Sequence, residues 1–303
     1  MATTTPLTPA FAARIEGIDA ARASKADVAF IREALIAHCV IVLPGQALDG
    51  DQQADFAAKF GQLDSYSQMS GDYARGMRKD LLQVSNLGED GKPVAAGDRR
   101  RLLDMGNRFW HTDASFKAVP AHLSMLYGIT VTSEGGETQF ADMRAAWDSL
   151  DPDRRELVEG LVAEHSSTTA RRALGFDDFD ATNPAITGRV THDLVRVLPE
   201  TGRKTLYLSA HADHIVGMPK PAGRMLLAEL TEHATGPGNV YTHTWHQGDL
   251  VIWDNRCSMH RSCRYRADRE TRHFRRASTT APEFAARTGS DISVPAWKIE
   301  AAA

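Results

Sequence analysis

Short apolar runs that end in turns occur near both ends of this 303-residue chain, with helical patterns between them. The run at residues 39–43 (CVIVL) is followed by Pro44-Gly45, which is typical of a buried strand that ends in a turn. Strands and helices do not alternate regularly, so the pattern disfavours a doubly wound parallel sheet. It predicts a mainly β fold, with a jelly-roll core decorated by α-helices.

Hydrophobic periodicity predicts the individual elements. Asp49 stands three residues before Gln52 in a capping-box arrangement, and Phe56 and Phe60 share one helical face, so a helix is predicted over residues 49–60. The opening residues are predicted to be irregular. Further helices are predicted at 142–150, from 151 onward and at 221–234. Strands are predicted at 39–43, 81–84, 108–131, 192–198, 204–209, 240–246, 249–254 and 271–279.

Residues 64–106 are rich in Gly, Asp, Ser and Arg and show weak periodicity. Apart from the strand at 81–84, they are predicted to form a loop, which includes the basic run at 99–101. A loop of this length in a compact domain is usually functional or mobile. A mobile loop over an active site and a disordered insertion both remain open. There is no internal repeat or low-complexity linker, so residues 1–303 are predicted to form a single domain.

Composition excludes several classes of protein. The net charge of -4 gives no reason to expect nucleic acid or a membrane surface as a partner. Three cysteines do not suggest a disulfide framework, and a reducing cytoplasm fits them best. The N-terminus lacks the pattern of a signal peptide, and no apolar stretch reaches the roughly 20 residues that cross a bilayer. We therefore expect a soluble cytoplasmic protein.

The phrase WHTD at residues 110–113 contains the first candidate site residues. Side chains two apart on a strand point the same way, so His111 and Asp113 can present an imidazole and a carboxylate to one metal ion. His260 follows the phrase WDNR at 253–256. Two histidines and one carboxylate leave coordination positions open, which suits a non-haem Fe(II) oxygenase. Because the chain has 12 histidines, a His-x-Asp pair alone is weak evidence.

Two arginines strengthen that interpretation. Arg272 and Arg276 lie 12 and 16 residues after His260, and being four apart they share one face of the strand predicted at 271–279. Guanidinium groups bind carboxylates through paired hydrogen bonds. Two of them beside a metal could anchor two different carboxylates. Arg275 alternates to the opposite face and is predicted to be solvated.

Two other classes of protein remain open on these residues. Two histidines and a carboxylate can hold zinc and activate water for hydrolysis. A catalytically silent metal-binding barrel, for example a sensor, would need only the ligands. Both alternatives leave the paired arginines without a role, so they rank below the oxygenase.

Several phrases follow one another in a specific order between residues 40 and 280. They are FAAKFG at 56–61, WHTD at 110–113, GGETQFADMR at 135–144, TGRK at 201–204, WDNR at 253–256 with His260, and the final arginines. With these phrases the sequence resembles the taurine and aryloxyalkanoate dioxygenase family. The phrases at 140–147, 210–214 and 223–230 are most similar to the branch that cleaves 2,4-dichlorophenoxyacetate.

The resemblance implies a double-stranded β-helix, that is, a jelly roll. It also implies an Fe(II)-dependent dioxygenase that uses 2-oxoglutarate and O₂ as cosubstrates. The catalytic iron ligands would be His111, Asp113 and His260. Three residues would form the 2-oxoglutarate site, namely Arg272, Thr138 and Trp253.

The resemblance also implies a small anionic organic substrate and a homo-oligomer. Arg276 would bind the substrate carboxylate. Asn107, His211 and Lys92 would lie near the substrate. Cleavage of an aryloxyacetate such as 2,4-dichlorophenoxyacetate to a phenol and glyoxylate is the leading expectation, with release of succinate and CO₂. A sulfonate or an N-acyl amino acid is the alternative, since Arg276 would accept any of these anions.

Two departures from the family pattern carry expectations of their own. The chain has Val197-Leu198-Pro199 where the family often has Thr-His-Pro, so substrate specificity is expected to differ. The interval from His260 to Arg272 is one residue longer than usual. A bulge or a longer loop would absorb the extra residue. Otherwise Thr271 would take the place of Arg272.

Overall fold

The protein is described from a computed structural model over residues 1–9, 11–66, 78–178, 188–287 and 293–302. Its strands, numbered along the described chain, are β1 (Thr3–Pro6), β2 (Ala13–Glu16), β3 (Val40–Leu43), β4 (Leu81–Ser85), β5 (Ala121–Thr130), β6 (Thr138–Asp142), β7 (Val162–Ser166), β8 (Arg189–Asp193), β9 (Val195–Val197), β10 (Lys204–Leu206), β11 (Ala212–Ile215), β12 (Val240–His243), β13 (Leu250–Asp254), β14 (Ser258–Ser262) and β15 (His273–Thr280).

The helices lie between and around these strands. They are α1 (Lys25–His38), α2 (Gly50–Ala58), α3 (Arg99–Asp104), α4 (Met143–Asp148), α5 (Pro152–Val158), α6 (Ser167–Ala173), α7 (Lys220–Ala234) and α8 (Ala296–Ala301), with short 3₁₀ helices at Ala20–Arg22, Met105–Arg108 and Pro282–Phe284. Among the described residues, no helix is long and apolar enough to cross a membrane.

The largest sheet has seven strands in the order β1-β2-β3-β13-β5-β15-β4. Its pairs are antiparallel except β2 with β3, which run parallel. A second sheet has the order β12-β6-β14. From β3 onward in the large sheet, and throughout the second sheet, neighbouring strands are distant in sequence, so the chain crosses repeatedly between the sheets, as in a jelly roll. The predicted fold class is confirmed.

Alternate residues of the large sheet enter different cores. Ile41 and Leu43 pack with α1 and α2, whereas Val40 and Val42 pack with Phe140 of the second sheet. Side chains alternate across a strand, and burial of both faces explains why residues 39–43 form a continuous apolar run. The inner core thus holds the two sheets together beside the residues predicted to bind metal.

The prediction that the opening residues are irregular is wrong. They form β1, β2 and α1, and the helix begins with a capping box in which Ser24 and Asp27 bond each other's backbone. The usual signature has Glu or Gln at the second position, and here the shorter Asp takes it. β1 and β2 extend the large sheet beyond β3, and α1 packs against one of its faces.

Three other segments differ from their predictions. The strand predicted at 108–131 is restricted to β5, because a turn with left-handed Ala114 (φ 53°) follows the isolated bridge at His111. The strand predicted at 192–198 is two strands, since the chain changes partner at buried Leu194. The basic run at 99–101 is helical, because Asp98 caps the first turn of α3.

Candidate active site

The three predicted metal ligands lie together in the interior. The ligand atoms of His111, Asp113 and His260 are all within 4.8 Å of one another, and all three side chains are buried. His260 is on β14, and His111 forms an isolated antiparallel bridge with it through N–H···O bonds of 3.0 and 2.9 Å. Two residues further on, Asp113 begins a turn. The backbone therefore holds the two histidines side by side.

Hydrogen bonds orient the ligand side chains. Nδ1 of His111 lies 2.8 Å from the carbonyl oxygen of Phe109, which leaves Nε2 for a metal. Ser124 Oγ donates to Asp113 Oδ2 at 2.7 Å, and Arg276 Nη1 donates to Asp113 Oδ1 at 2.5 Å. Each carboxylate oxygen has two lone pairs, so these donors leave capacity for a metal.

The charge states of the ligands suit a divalent cation. Burial lowers the pKa of His111, and burial together with His111 lowers the pKa of His260 well below its ordinary value. Burial by itself would raise the pKa of Asp113, but the charge of Arg276 and the hydrogen bond from Ser124 hold that pKa low. Two neutral imidazoles and a carboxylate are the protonation states that metal binding requires. The three residues fit an iron(II) ion.

A cavity of about 490 Å³ opens on one side of the metal ligands and contains the residues predicted to bind 2-oxoglutarate. Arg272, Thr138 and Trp253 line it together with His111 and His260. The Trp253 ring lies 4.7 Å from the His260 ring, centroid to centroid. Its Nε1 donates to Asn255 Oδ1, which also accepts a bond from the Asp113 backbone N–H. Trp253 therefore forms part of the cavity wall and, through Asn255, also helps to hold the backbone of the metal ligand Asp113.

Arg272 provides the cavity with a positive charge that no direct ion pair among the described residues neutralises, although Asp104 of the same cavity interacts with it electrostatically. Arg272 is 6% exposed, and among the described residues no carboxylate lies within ion-pair distance of its guanidinium. Its Nε is buried without a hydrogen-bond partner. A buried cation without a direct ion-pair partner is costly, so the site fits an anionic ligand. The distal carboxylate of 2-oxoglutarate is such an anion.

Arg272 lines the cavity even though the interval from His260 to Arg272 is one residue longer than usual. Arg272 precedes β15, and its backbone N–H donates to Asn86 Oδ1 at 2.9 Å. The register of β15 against β5 shifts between His273 and Phe274. This bulge follows Arg272 and its extra residue, Ile129, is on β5, so the longer interval from His260 to Arg272 is taken up by the loop at residues 263–272 between β14 and β15. Arg272 lines the cavity, and Thr271 is not among its lining residues.

A second cavity, of about 600 Å³, adjoins the other side of the ligand group. Arg276, Asn107 and His211 line it, as do apolar side chains that include Phe116 and Leu82. Burial lowers the pKa of His211 to about 3, so its imidazole is neutral. Arg276 and Asn107 also line the first cavity, so both residues lie where the two cavities meet.

The structure does not bring Lys92 to this group. Lys92 is exposed and lines a separate surface cavity together with Asp90 and Arg100. The prediction that Arg275 is solvated is wrong. Its guanidinium is buried and donates to Gln53 Oε1 at 2.7 Å and to the Leu48 carbonyl at 2.8 Å, which ties β15 to α2.

Several residues of the site were missed by sequence reasoning. Asp104 lines both cavities, and burial raises its pKa to about 7 although the Arg272 charge opposes the shift. Ser124 contacts Asp113, as described above. Asn255 lies within the phrase WDNR, which was the available signal for it. Ser124 and Asp104 carry no local pattern, since they reach the site only through the fold.

Comparison with known proteins agrees with this geometry. The profile of the family described as "Taurine catabolism dioxygenase TauD, TfdA family" matches residues 3–278. The α-ketoglutarate-dependent 2,4-dichlorophenoxyacetate dioxygenase of Cupriavidus pinatubonensis is 42% identical over 277 residues, which cover 90% of this chain and 96% of that protein. The (S)-phenoxypropionate/α-ketoglutarate dioxygenase of Sphingobium herbicidovorans is 34% identical over 266 residues, which cover 85% and 88%.

A solved structure extends the agreement to the fold. AAD-2, crystallised in complex with Mn(II) and N-oxalylglycine, superposes with a TM-score of 0.87 at 38% identity. The match covers 94% of this chain and 100% of that one. These findings exclude the zinc-hydrolase and silent-barrel alternatives. The chain belongs to the taurine catabolism dioxygenase TauD, TfdA family, and it is an Fe(II)-dependent dioxygenase that uses 2-oxoglutarate and O₂.

Proposed function

We propose that this dioxygenase cleaves an aryloxyacetate such as 2,4-dichlorophenoxyacetate to a phenol and glyoxylate. The observation that carries the proposal is the position of Arg276, which lies beside Asp113 and lines a cavity with apolar side chains. An aryloxyacetate has a carboxylate for the guanidinium and a ring for the apolar wall. The similarity to two dioxygenases named for phenoxy acids supports the same substrate class.

The proposed site uses the two cavities for two anions. In the first cavity Arg272 and Thr138 would bind the distal carboxylate of 2-oxoglutarate, with Trp253 in the wall. His111, Asp113 and His260 would hold iron(II) between the cavities. When bound, iron(II) and 2-oxoglutarate activate O₂ for hydroxylation of a C–H bond, and 2-oxoglutarate becomes succinate and CO₂.

In the second cavity the protein would contribute positioning. Arg276 would fix the substrate carboxylate close to the metal ligands, and the carbon between carboxylate and ether oxygen would then face the metal. Asn107 and the neutral His211 would supply hydrogen bonds around the substrate. Lys92 lies apart from this cavity and has no role in the proposal.

Hydroxylation of that carbon explains how the ether is cleaved. The product carries a hydroxyl group and an aryloxy group on one carbon and is therefore a hemiacetal. Its hydroxyl proton leaves, a C=O bond forms, and the bond between that carbon and the ether oxygen breaks, so the ether oxygen leaves on the ring. The aryloxide takes up a proton to give the phenol, and the remaining two carbons are glyoxylate.

The test is turnover with a panel of acids. The protein is loaded with Fe(II) and 2-oxoglutarate without oxygen, and the weak visible charge-transfer band is recorded. O₂ is then added with aryloxyacetates, sulfonates or N-acyl amino acids, and succinate and phenol are measured. We expect aryloxyacetates to stimulate succinate formation and to release phenol in equal amount. Stimulation by a sulfonate or an N-acyl amino acid alone would overturn the proposed substrate.

We also propose that residues 1–303 form a single domain that works as a homo-oligomer in the cytoplasm. The sparse cysteines support the compartment, and the described residues contain only free cysteines. Light scattering coupled to size-exclusion chromatography tests the oligomer. A mass equal to that of one chain, 33.2 kDa, would contradict it.

A further inference from the structure

A buried tryptophan contacts the hydroxyl group of Thr138 from behind the 2-oxoglutarate cavity. Trp245 Nε1 donates to Thr138 Oγ1 at 3.0 Å. Trp245 is 7% exposed and Thr138 is 3% exposed, so water does not compete freely for this bond. Trp245 is absent from the cavity lining, whereas Thr138 belongs to it. The tryptophan therefore does not face the cavity itself and acts on it through neighbouring residues such as Thr138.

The chemistry of the two groups determines which way the hydroxyl donates. An indole N–H is a donor only, and a threonine hydroxyl has one O–H donor and two lone pairs. Because Trp245 occupies a lone pair of Oγ1, the threonine hydrogen remains to be donated in another direction. The cavity contains the Arg272 guanidinium, which has donors and no acceptor. The partner that suits both residues is an anionic acceptor between them.

The same tryptophan supports the second donor through an aromatic ring. The Trp245 ring meets the Phe274 ring edge to face, with centroids 4.7 Å apart and planes at 73°. The Arg272 side chain, which lines the cavity, packs on this Phe274 ring, with its guanidinium carbon 4.1 Å from the ring centroid. Cation–π contact of this kind restricts the arginine. Trp245 thus contacts Thr138 directly and Arg272 through the Phe274 ring, and these are the two residues proposed to bind the anion.

We propose that Trp245 is a positioning residue for 2-oxoglutarate, which acts by keeping the Thr138 hydroxyl a donor toward the distal carboxylate. The inference rests on the roles proposed above for Thr138 and Arg272. It extends them to a residue that does not touch the cosubstrate. It predicts that Trp245 contributes to recognition of the distal carboxylate and not of the 2-oxo acid group.

The test compares two ligands that differ in that carboxylate. Protein loaded with Mn(II) is titrated calorimetrically with 2-oxoglutarate and with 2-oxopentanoate, which lacks the distal carboxylate. Trp245→Phe keeps an aromatic ring and removes the N–H. We expect it to weaken 2-oxoglutarate binding about tenfold and to leave 2-oxopentanoate binding unchanged. Trp147→Phe, at an equally buried tryptophan in another core, is the matched control and should change neither.

A double-mutant cycle separates positioning from a merely structural effect. Thr138→Val removes the hydroxyl, so Trp245→Phe on that background should cause no further loss of 2-oxoglutarate affinity. Thr138→Ser restores a hydroxyl and should restore the effect of Trp245→Phe. Equal losses for both ligands, additive losses in the cycle, or no loss in Trp245→Phe would each overturn the proposal. No prime substrate is used, so failure of the aryloxyacetate proposal would leave this test intact.

Discussion

Arg276 Nη1 donates to Asp113 Oδ1 at 2.5 Å, so the guanidinium proposed to receive the substrate acid already touches a metal-ligand carboxylate. Nε of Arg276 is buried and has no hydrogen-bond partner among the described residues. The side chain therefore retains donors for a second carboxylate while it keeps the first. Arg276 would thus bind the substrate carboxylate and the carboxylate of Asp113 at the same time.

Replacement of Arg276 by Gln should raise the KM for the acid substrate about 10- to 100-fold, because a charged hydrogen bond is lost. Initial rates against substrate concentration measure this, at saturating 2-oxoglutarate. Arg275→Gln is the control, since Arg275 bonds α2 and lines neither cavity. It should lower the unfolding midpoint and leave KM unchanged. A KM effect in Arg275→Gln but not in Arg276→Gln would contradict the assignment.

Replacement of Ser124 by Ala should weaken metal binding about 10- to 100-fold, as loss of a hydrogen bond to a metal ligand commonly does. Ser124 Oγ donates to Asp113 Oδ2 and accepts from Asn255 Nδ2 at 3.0 Å, so it fixes the carboxylate orientation. Calorimetric titration with Mn(II) measures the affinity. Ser133→Ala, on an exposed turn, serves as control. Equal affinity in both variants would show that Ser124 does not orient the ligand.

The affinity for 2-oxoglutarate should fall as pH rises through about 7. The pKa of Asp104 is raised to about 7, so its carboxyl is neutral below that pH and negative above it. The negative form repels the cosubstrate and competes for Arg272. Between pH 6 and 8 the dissociation constant should rise about three- to tenfold. Both carboxyls of 2-oxoglutarate stay ionised in this range. Asp104→Asn should remove this pH dependence of the dissociation constant. If the variant keeps the pH dependence, a group other than Asp104 causes it.

The contact between α7 and β11 should not tolerate an added methyl group. A Cβ on Gly223 would lie 2.8 Å from the backbone nitrogen of Ile215 and 3.2 Å from its Cβ. Gly223→Ala should therefore lower the free energy of unfolding by about 1–3 kcal/mol, as measured by denaturant titration. Gly97 has open space around it, so Gly97→Ala should have no comparable effect. Equal stability of the two variants would contradict the close packing.

Some of the fold was predictable because local patterns and packing agree. The run at 39–43 predicted a buried strand that ends in a turn, and β3 is a strand buried on both faces. The opening segment, which forms β1, β2 and α1, carries no comparably clear local pattern. The capping box of α1 uses Asp27 in place of the longer acid or amide, and β1 and β2 are short strands at the edge of the sheet.

The candidate site shows a similar division. His111, Asp113 and His260 were selected by residue type and spacing, and the structure brings their ligand atoms together. Ser124 comes from a strand whose facing residues depend on register with β13 and β15. Sequence spacing does not give that register. Lys92 was selected from the family resemblance as a cation in the long loop at 64–106, and its surroundings lie on the surface.

The reciprocal backbone bonds between His111 and His260 have a consequence for metal exchange. The two imidazoles lie side by side because the backbones of His111 and His260 are hydrogen-bonded to each other, so metal binding is not needed to bring them together. Chelation should leave the chain folded, and a returning ion should find its ligands in place. A preformed pair of nitrogens with one carboxylate discriminates poorly among first-row divalent ions. The supply of metals in the cell, rather than the protein, then decides whether the enzyme carries iron or an inactive competitor.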